Sequence, residues 1–507
     1  MAEAIEQRRS VTLGALARAV GGTLTGDDGL VVKDVTHDSR QAREGWLFVA
    51  VAGANLDAHK FVDAVMEQGA LGVISERVVP ENFVGAWIQV SEVRLAMAQA
   101  AAMAHGHPSR ELELVGITGT NGKTTTTYLV ASIAKAAGEK VAMTTTVEYS
   151  VGDEHIKAER TTPEATDMQR LLRRAVEAGC RTAVMESSSQ AIDLHRCDAL
   201  FYSIAVFTNL TRDHLDYHGT MDNYFAAKRR LFDGSLSVPP RASVINIDDE
   251  RGAQLARELE AEGALVVSYA LNEEAEVTAS EVRHSLDGMR FRLSTPVGQR
   301  DLHSPLVGRP HIYNILAAVA CGLELGYDLD VISRAIETCT GAPGRFERVP
   351  HEGDFAVVVD YAHSDDALLN VLRTAREVTE GRIITVFGCG GDRDRSKRAP
   401  MGEAAASLSD VVILTSDNPR TEDPERIFAD VEDGMRETNK PYEKIADRRT
   451  AINRAIAEAR GGDLVLIAGK GHEDYQIIGR EVFHFDDKEV AREALAAKKL
   501  SGNPPVP

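Results

Sequence analysis

Gly119-Thr120-Asn121-Gly122-Lys123-Thr124-Thr125 sets glycines, a lysine and hydroxyls in the order that grips a polyphosphate. Glycines let successive backbone N–H groups converge on an anion, and the lysine adds a point charge. The threonine after the lysine is placed to put its hydroxyl on Mg²⁺. The strict pattern asks for glycine five positions before Gly122, where Ile117 stands, so this is a variant in which Gly119 makes the tight turn. Downstream, the apolar run Thr182–Met185 ends in Glu186-Ser187-Ser188, and Tyr202–Phe207 ends in Thr208-Asn209 through Asp213-His214. A carboxylate and an imidazole at the ends of buried strands predict a magnesium-nucleotide site with Glu186 and His214 as ligands. Taken singly, each also reads as a solvated strand end. Polar clusters recur further on, at Asp360-Tyr361-Ala362-His363, Gly388 to Arg395, Ser416 to Arg420 and Gly469 to Glu473.

The elements that must position these groups follow from periodicity. The β-branched run Leu114–Thr118 passes through the glycine turn into a helical pattern (Tyr128, Leu129, Ala131, Ile133, Ala134, Ala137) that Gly138 stops. Strand, glycine turn and helix N-terminus are the context the phosphate motif requires. The spacing predicts an α/β protein of three domains: a small α/β unit over 1–110, a central P-loop parallel-sheet domain over 111–342, and a C-terminal doubly wound, Rossmann-like sheet over 343–507. In the first, a helix through Leu13, Leu16, Ala17 and Val20 precedes strands at Val31–Val35, Leu47–Val51 and Gly72–Ile74, with a helix near Phe61–Gln68. Its polar islands, Asp38-Ser39-Arg40 and Gly53 to Phe61 with His59, read as turns as readily as a site. His105-Gly106-His107-Pro108-Ser109 reads as a linker, and a two-histidine metal site there lacks partners.

Bulk properties set limits. A chain of 507 residues exceeds one hydrophobic core. A net charge of −20 argues against nucleic-acid binding and anionic membranes. Cys180, Cys197, Cys321, Cys339 and Cys389 are scattered and form no metal-type pair, as expected of reduced thiols. Met1 to Glu6 is polar and acidic, so no signal peptide is read, and no apolar run reaches spanning length. A cytoplasmic setting is expected, as is a monomer without membrane insertion, and the tail from Ser501 to Pro505 is expected to fray.

Together these motifs resemble the Mur ligases. The P-loop variant, Thr208-Asn209-Leu210 to His214-Leu215-Asp216, Gly344-Arg345-Phe346-Glu347, the Asp360 and Gly390–Asp394 segments and Gly469-Lys470-Gly471-His472-Glu473 occur in the family's order along essentially the whole chain. The resemblance implies an ATP-dependent ligase in which the D-glutamate γ-carboxylate of UDP-N-acetylmuramoyl-L-alanyl-D-glutamate is phosphorylated. An amine of meso-diaminopimelate then displaces the phosphate. ATP and Mg²⁺ are the implied cofactors. Lys123 and Thr124 would grip phosphates and metal, Glu186 and His214 would bind Mg²⁺, and Arg345 would reach the γ-phosphate. Asp360 would hold the ribose, and Asn314 lies in the region near the adenine. Lys228, in a Tyr-x-x-x-Lys frame, would be carbamylated (N6-carboxylysine) and help hold a second Mg²⁺; by residue type alone it reads as a helix-surface lysine. Ser39 and His59 would bind the uridine diphosphate, and Thr161, Thr162, Ser188 and Arg196 the muramoyl peptide. Arg420 would clamp the distal carboxylate of diaminopimelate and Arg393 the other, with Asp417 and Glu473 on the distal ammonium beside Asn418 and Gly469. L-Lysine lacks that second carboxylate.

Three places depart from the family pattern: Pro310-His311 for the usual Phe-Asn before Asn314, Gln190 for a histidine, and Ser364-Asp365-Asp366 for the usual Thr-Pro-Asp. Two alternatives stay open, another amide ligase of the folylpolyglutamate or cyanophycin type and a catalytically silent P-loop scaffold.

Overall fold

The computed structural model describes residues 11–53, 56–438 and 440–502. The Met1–Glu6 segment read for a signal peptide and Ala54-Asn55 of the second polar island lie outside the described residues. Ser501 and Gly502 close the last helix, Asp487–Gly502, and the rest of the tail lies outside.

Each main sheet grows from strands buried on both faces, which is why they read as unbroken apolar runs. Among the described residues a five-stranded, mostly parallel sheet runs in the order Thr23–Thr25, Ala86–Gln89, Gly72–Ser75, Trp46–Val49, Asp34–Thr36. The helix Val93–Ala104 packs on it and ends at His105, whose Nε2 meets Asp34 Oδ1 at 2.9 Å. The expected linker is therefore a helix end followed by a short 3₁₀ turn, Pro108–Glu111. Among the described residues no group of three or more His, Cys, Asp or Glu is placed to hold a metal unaided.

The central sheet is eleven-stranded among the described residues. The P-loop strand Glu113–Thr118 lies between Thr182–Glu186 and Ile204–Phe207, in parallel register with Ile117 opposite Glu186 and Thr118 opposite Phe207. Parallel register sends all three strand ends to one edge of the sheet, so the phosphate loop, Glu186 and the loop leading to His214 emerge together. The sequence reading missed the edges: a hairpin, Glu148–Val151 with Glu154–Lys157, and an antiparallel meander, Val277–Ser285, Gly288–Thr295 and Gly298–Ser304. Their burial alternates with exposed polar positions, a weaker signal than a continuous apolar run.

The C-terminal sheet orders Glu347–Arg348, Ala356–Asp360, Leu464–Ala468, Ile383–Phe387, Val411–Leu414 and Tyr442–Lys444. Asp360 pairs in register with Ala468, bringing the Asp360 and Gly469 loops together. Beneath this edge Arg448 and Asp487, both at 0% side-chain exposure, form an ion pair at 2.7 Å, and Arg448 also donates to the Ala468 carbonyl at 3.0 Å. The pair ties the last helix to the strand that feeds the Gly469 loop. Asp487→Leu would leave the guanidinium buried without a counter-charge, and about 3 kcal/mol of stability should be lost. Urea unfolding checks this, with Arg448→Met added to Asp487→Leu expected to recover most of the loss.

Candidate active site

The helix Lys123–Ala136 starts at Gly122, which lies at φ +88° without a side-chain cap, so its first-turn N–H groups stay free for an anion. A β-carbon on Gly122 would collide with Asn314 Oδ1, and one on Gly119 (φ +145°) with Thr208 Oγ1. The loop is held from the neighbouring strand end: Asn121 N–H donates to Asn209 Oδ1 at 2.9 Å, and Thr208 Oγ1 donates to the Asn121 carbonyl at 2.6 Å. Thr120 Oγ1 lies 3.2 Å from the Tyr224 hydroxyl.

A cavity of about 680 Å³ opens over this loop, lined by Lys123, Thr124, Thr125, Glu186, His214 and Asn314 from the central domain and by Arg345, Asp360, Tyr361 and His363 from the C-terminal one. Lys123 Nζ is folded over its own loop, donating to the Gly119 and Thr120 carbonyls at 2.9 and 2.7 Å. Burial pushes its ammonium down, against the pull of Glu186 and Asp213. Glu186 is buried and accepts the Thr146 N–H at 2.9 Å. Burial lowers the His214 imidazole; Asp213 opposes the shift, while Lys123 and Lys228 add to it.

Lys228 lines no part of this cavity. It lies at 1% exposure behind Gly119, donating from Nζ to the Gly119 carbonyl at 2.8 Å, with that nitrogen 4.3 Å from the centre of the Tyr224 ring. Two amines, Lys123 and Lys228, thus share one carbonyl oxygen, and two adjacent buried ammonium charges repel. Burial first and Lys123 second hold Lys228 well below the ordinary lysine range.

From the C-terminal domain, Arg345 stacks 4.7 Å over Tyr361 and brings a guanidinium nitrogen to 3.5 Å from Thr124 Oγ1. Its Nε is buried and has no partner among the described residues, an unspent donor. Asp360 lines the cavity, and each of its oxygens already accepts a backbone N–H, from Phe346 at 2.6 Å and from Ala362 at 2.7 Å. Burial raises its carboxyl, with Arg345 opposing. Burial, aided by Arg345, lowers the His472 imidazole to about 4.

The residues expected for the muramoyl peptide cluster around Glu186. Thr162 Oγ1 donates to the Glu186 carbonyl at 2.7 Å and lies 3.3 Å from Ser188 Oγ. Thr161 Oγ1 lies 3.0 Å from Thr146 Oγ1, and Arg196 reaches the Thr162 carbonyl at 3.3 Å. Thr146 was missed by the sequence reading, although its place just past the strand Val141–Thr144 was a signal that could have found it. His59 is different: Nδ1 meets Asp57 at 2.6 Å and Nε2 meets Ser75 at 2.7 Å, so both ring nitrogens are engaged within its own domain. Ser39 sits in the turn after Asp34–Thr36, with no contact to His59 among the described bonds.

At the same edge of the C-terminal sheet, where the parallel strands Leu464–Ala468 and Val411–Leu414 end, Asn418 Nδ2 donates to Glu473 Oε2 at 3.0 Å, and fully buried Lys470 lies 3.3 Å from Asn418 Oδ1. Burial, then Asp417, pushes the Glu473 carboxyl up. Arg420, held at φ +51°, donates to the Gly391 carbonyl at 2.7 Å and has no carboxylate partner among the described residues. Gly469 passes close to the Asp417 carboxylate, while Arg393 is exposed beside Gly390.

A family model described as Mur ligase middle domain matches residues 117–322, and one described as Mur ligase, glutamate ligase domain matches residues 344–471. A UDP-N-acetylmuramoyl-L-alanyl-D-glutamate--2,6-diaminopimelate ligase of Geobacter metallireducens is 47% identical over 96% of this chain and 98% of its own length. The ligase of the same name from Solibacter usitatus is 47% identical over 92% of this chain and 93% of its own. A solved structure of a ligase of that name superposes with a TM-score of 0.70 at 33% identity, covering 97% of this chain and 99% of its own. A folylpolyglutamate synthase of Mycobacterium tuberculosis shares the fold alone, at 19% identity and a TM-score of 0.60, over 81% of this chain and 95% of its own.

Proposed function

This chain belongs to the Mur ligase family, and we propose on that premise that it joins 2,6-diaminopimelate to the D-glutamate γ-carboxylate of UDP-N-acetylmuramoyl-L-alanyl-D-glutamate, using ATP, in peptidoglycan precursor synthesis. The observation that carries the reading is Arg345 meeting Thr124 across the domain boundary, directly over a P-loop whose helix N-terminus is uncapped.

A carboxylate is a poor electrophile until one oxygen becomes a leaving group. In the proposed sequence a γ-carboxylate oxygen bonds to the γ-phosphorus of ATP and the bond to the β,γ-bridging oxygen breaks, giving ADP and an acyl phosphate. The free amine of diaminopimelate then adds to the acyl carbon, and inorganic phosphate departs as the amine loses its proton. This chain's part is orientation and charge neutralisation. Lys123 leaves its own loop carbonyls for phosphate oxygens, and Arg345 turns its unspent Nε toward the transferred phosphoryl. Thr162, Ser188 and Arg196 hold the muramoyl peptide beside Glu186, which sets its γ-carboxylate near that phosphoryl.

The donor set fits Mg²⁺: Thr124 and Glu186 offer hard oxygens and His214 lines the same cavity, so these three residues would hold the ion together with phosphate oxygens of the nucleotide. When bound, the metal neutralises developing phosphate charge. Lys228 suits carbamylation, because only a neutral amine bonds to CO₂, releasing a proton as the N–C bond forms and leaving an anion. The shared Gly119 carbonyl and the depressed amine support that assignment. Asn314 and Asp360 belong to the nucleotide end, and Ser39 to the uridine end. His59 joins the uridine end only by surrendering one of its present bonds. The residues invoked all come from one chain, so a monomer suffices. Among the described residues no helix is long and apolar enough to cross a membrane, and a cytoplasmic setting is part of the proposal.

The test is phosphate release from ATP with purified protein. Release that needs the UDP-muramoyl dipeptide and diaminopimelate together is expected; release with glutamate or a folate acceptor instead would overturn the reading. The silent-scaffold alternative predicts no turnover at all.

A further inference from the structure

Asn121 sits in the phosphate loop, and its side chain reaches across to the C-terminal domain. Its Nδ2 donates to Asp366 Oδ2 at 2.7 Å, 245 residues away in the helix Asp365–Val378 of the C-terminal domain. The same oxygen accepts Thr211 Oγ1 at 2.9 Å and Asn370 Nδ2 at 3.3 Å. Thr211 in turn is bound to the loop, its N–H donating to Thr120 Oγ1 at 3.0 Å. The neighbouring Asp365 adds an ion pair to Arg212 at 2.6 Å. Ser364 caps the helix by accepting the Ala367 N–H at 3.3 Å, which fixes where both carboxylates point.

We propose that Asp366 is a positioning residue for nucleotide binding: one carboxylate oxygen, carried by the C-terminal domain, locks the phosphate loop and the Thr208–His214 loop into a single arrangement, so that the grip on ATP is complete only when the two domains are apposed. Three donors on one oxygen call for the ionised acid, and bonds of this charged kind are stronger than neutral ones. Loop tips otherwise keep conformational freedom that binding must remove, and a loop already pinned loses less. Asp365 and Arg212 form a second strut, exposed and open to salt, which sets the approach of the same helix. The proposal rests on the ATP-ligase reading.

Steady-state kinetics of the full-length enzyme with all three substrates test it. Asp366→Ala is expected to raise the KM for ATP by about 10- to 100-fold, the loss of a charge-assisted set. The KM for diaminopimelate should stay within about twofold and the thermal midpoint should be little changed. Asp366→Asn, which keeps an acceptor oxygen, should recover part of the loss. Arg212→Asp should weaken ATP use a few-fold, and Arg212→Asp with Asp365→Arg should restore it. An unchanged KM for ATP in Asp366→Ala, equal rises in both KM values, or a double variant no better than Arg212→Asp would each overturn the proposal. If the unaltered enzyme releases no phosphate with its three substrates, the ligase reading fails instead.

Discussion

Diaminopimelate is expected to be used over L-lysine by about 10⁴-fold in kcat/KM, and Arg420→Ala is expected to remove most of that preference. Arg420 has a backbone carbonyl for a partner and no carboxylate among the described residues. Its backbone is fixed on both sides, Arg420 N–H donating to the Ile477 carbonyl at 3.1 Å and Gly479 N–H to the Arg420 carbonyl at 2.7 Å. The guanidinium is therefore held in place before any ligand arrives. A distal carboxylate would accept its fork in two parallel bonds, whereas lysine would leave the charge facing an ammonium. Arg420→Lys should behave almost like alanine, since a point charge cannot reproduce the fork. Competition between the two amino acids, with the KM for ATP followed in parallel, separates this from general damage. A wild type that uses lysine equally would remove Arg420 from its role.

Lys228→Ala is expected to lower turnover by about 10³-fold, the scale of losing one preorganised charge-stabilising group. Partial rescue by small carboxylic acids should follow, because an acid diffusing into the vacated space supplies the missing anion. The unaltered enzyme should lose activity when CO₂ and bicarbonate are stripped and regain it when they return. A merely structural lysine predicts neither rescue nor bicarbonate dependence. Full activity in the alanine variant would sink the assignment.

These two residues also show how differently site groups are written into a sequence. Arg420 stands in a short polar cluster after an apolar strand, where its chemistry is visible beside Asp417 and Asn418. Lys228 stands inside a helix, Met221–Arg229, and by residue type reads as a surface lysine. Only the packing of Tyr224 and Gly119 around it makes it a buried amine. His59 runs the other way: conspicuous among polar neighbours, it proves to have both nitrogens engaged. Asp366 stood out in the sequence only as part of the Ser364-Asp365-Asp366 departure, and its role was hidden there because its partners Asn121 and Thr211 are more than a hundred residues distant.

What the sequence by itself determined was the set of buried parallel strands and the chemistry at their ends, since continuous apolar runs and glycine turns are local properties that need no partner to be recognised. The P-loop, the strand leading to Glu186 and the C-terminal alternation belong to that set. Tertiary structure alone decided which strand ends share an edge, through the register of Ile117 with Glu186 and Thr118 with Phe207. It also decided which charges lose their water and which domain supplies Arg345 and Asp366 to the phosphate loop. Burial and apposition depend on contacts between residues far apart in the chain, and those contacts change the protonation and reach of a side chain without changing its type.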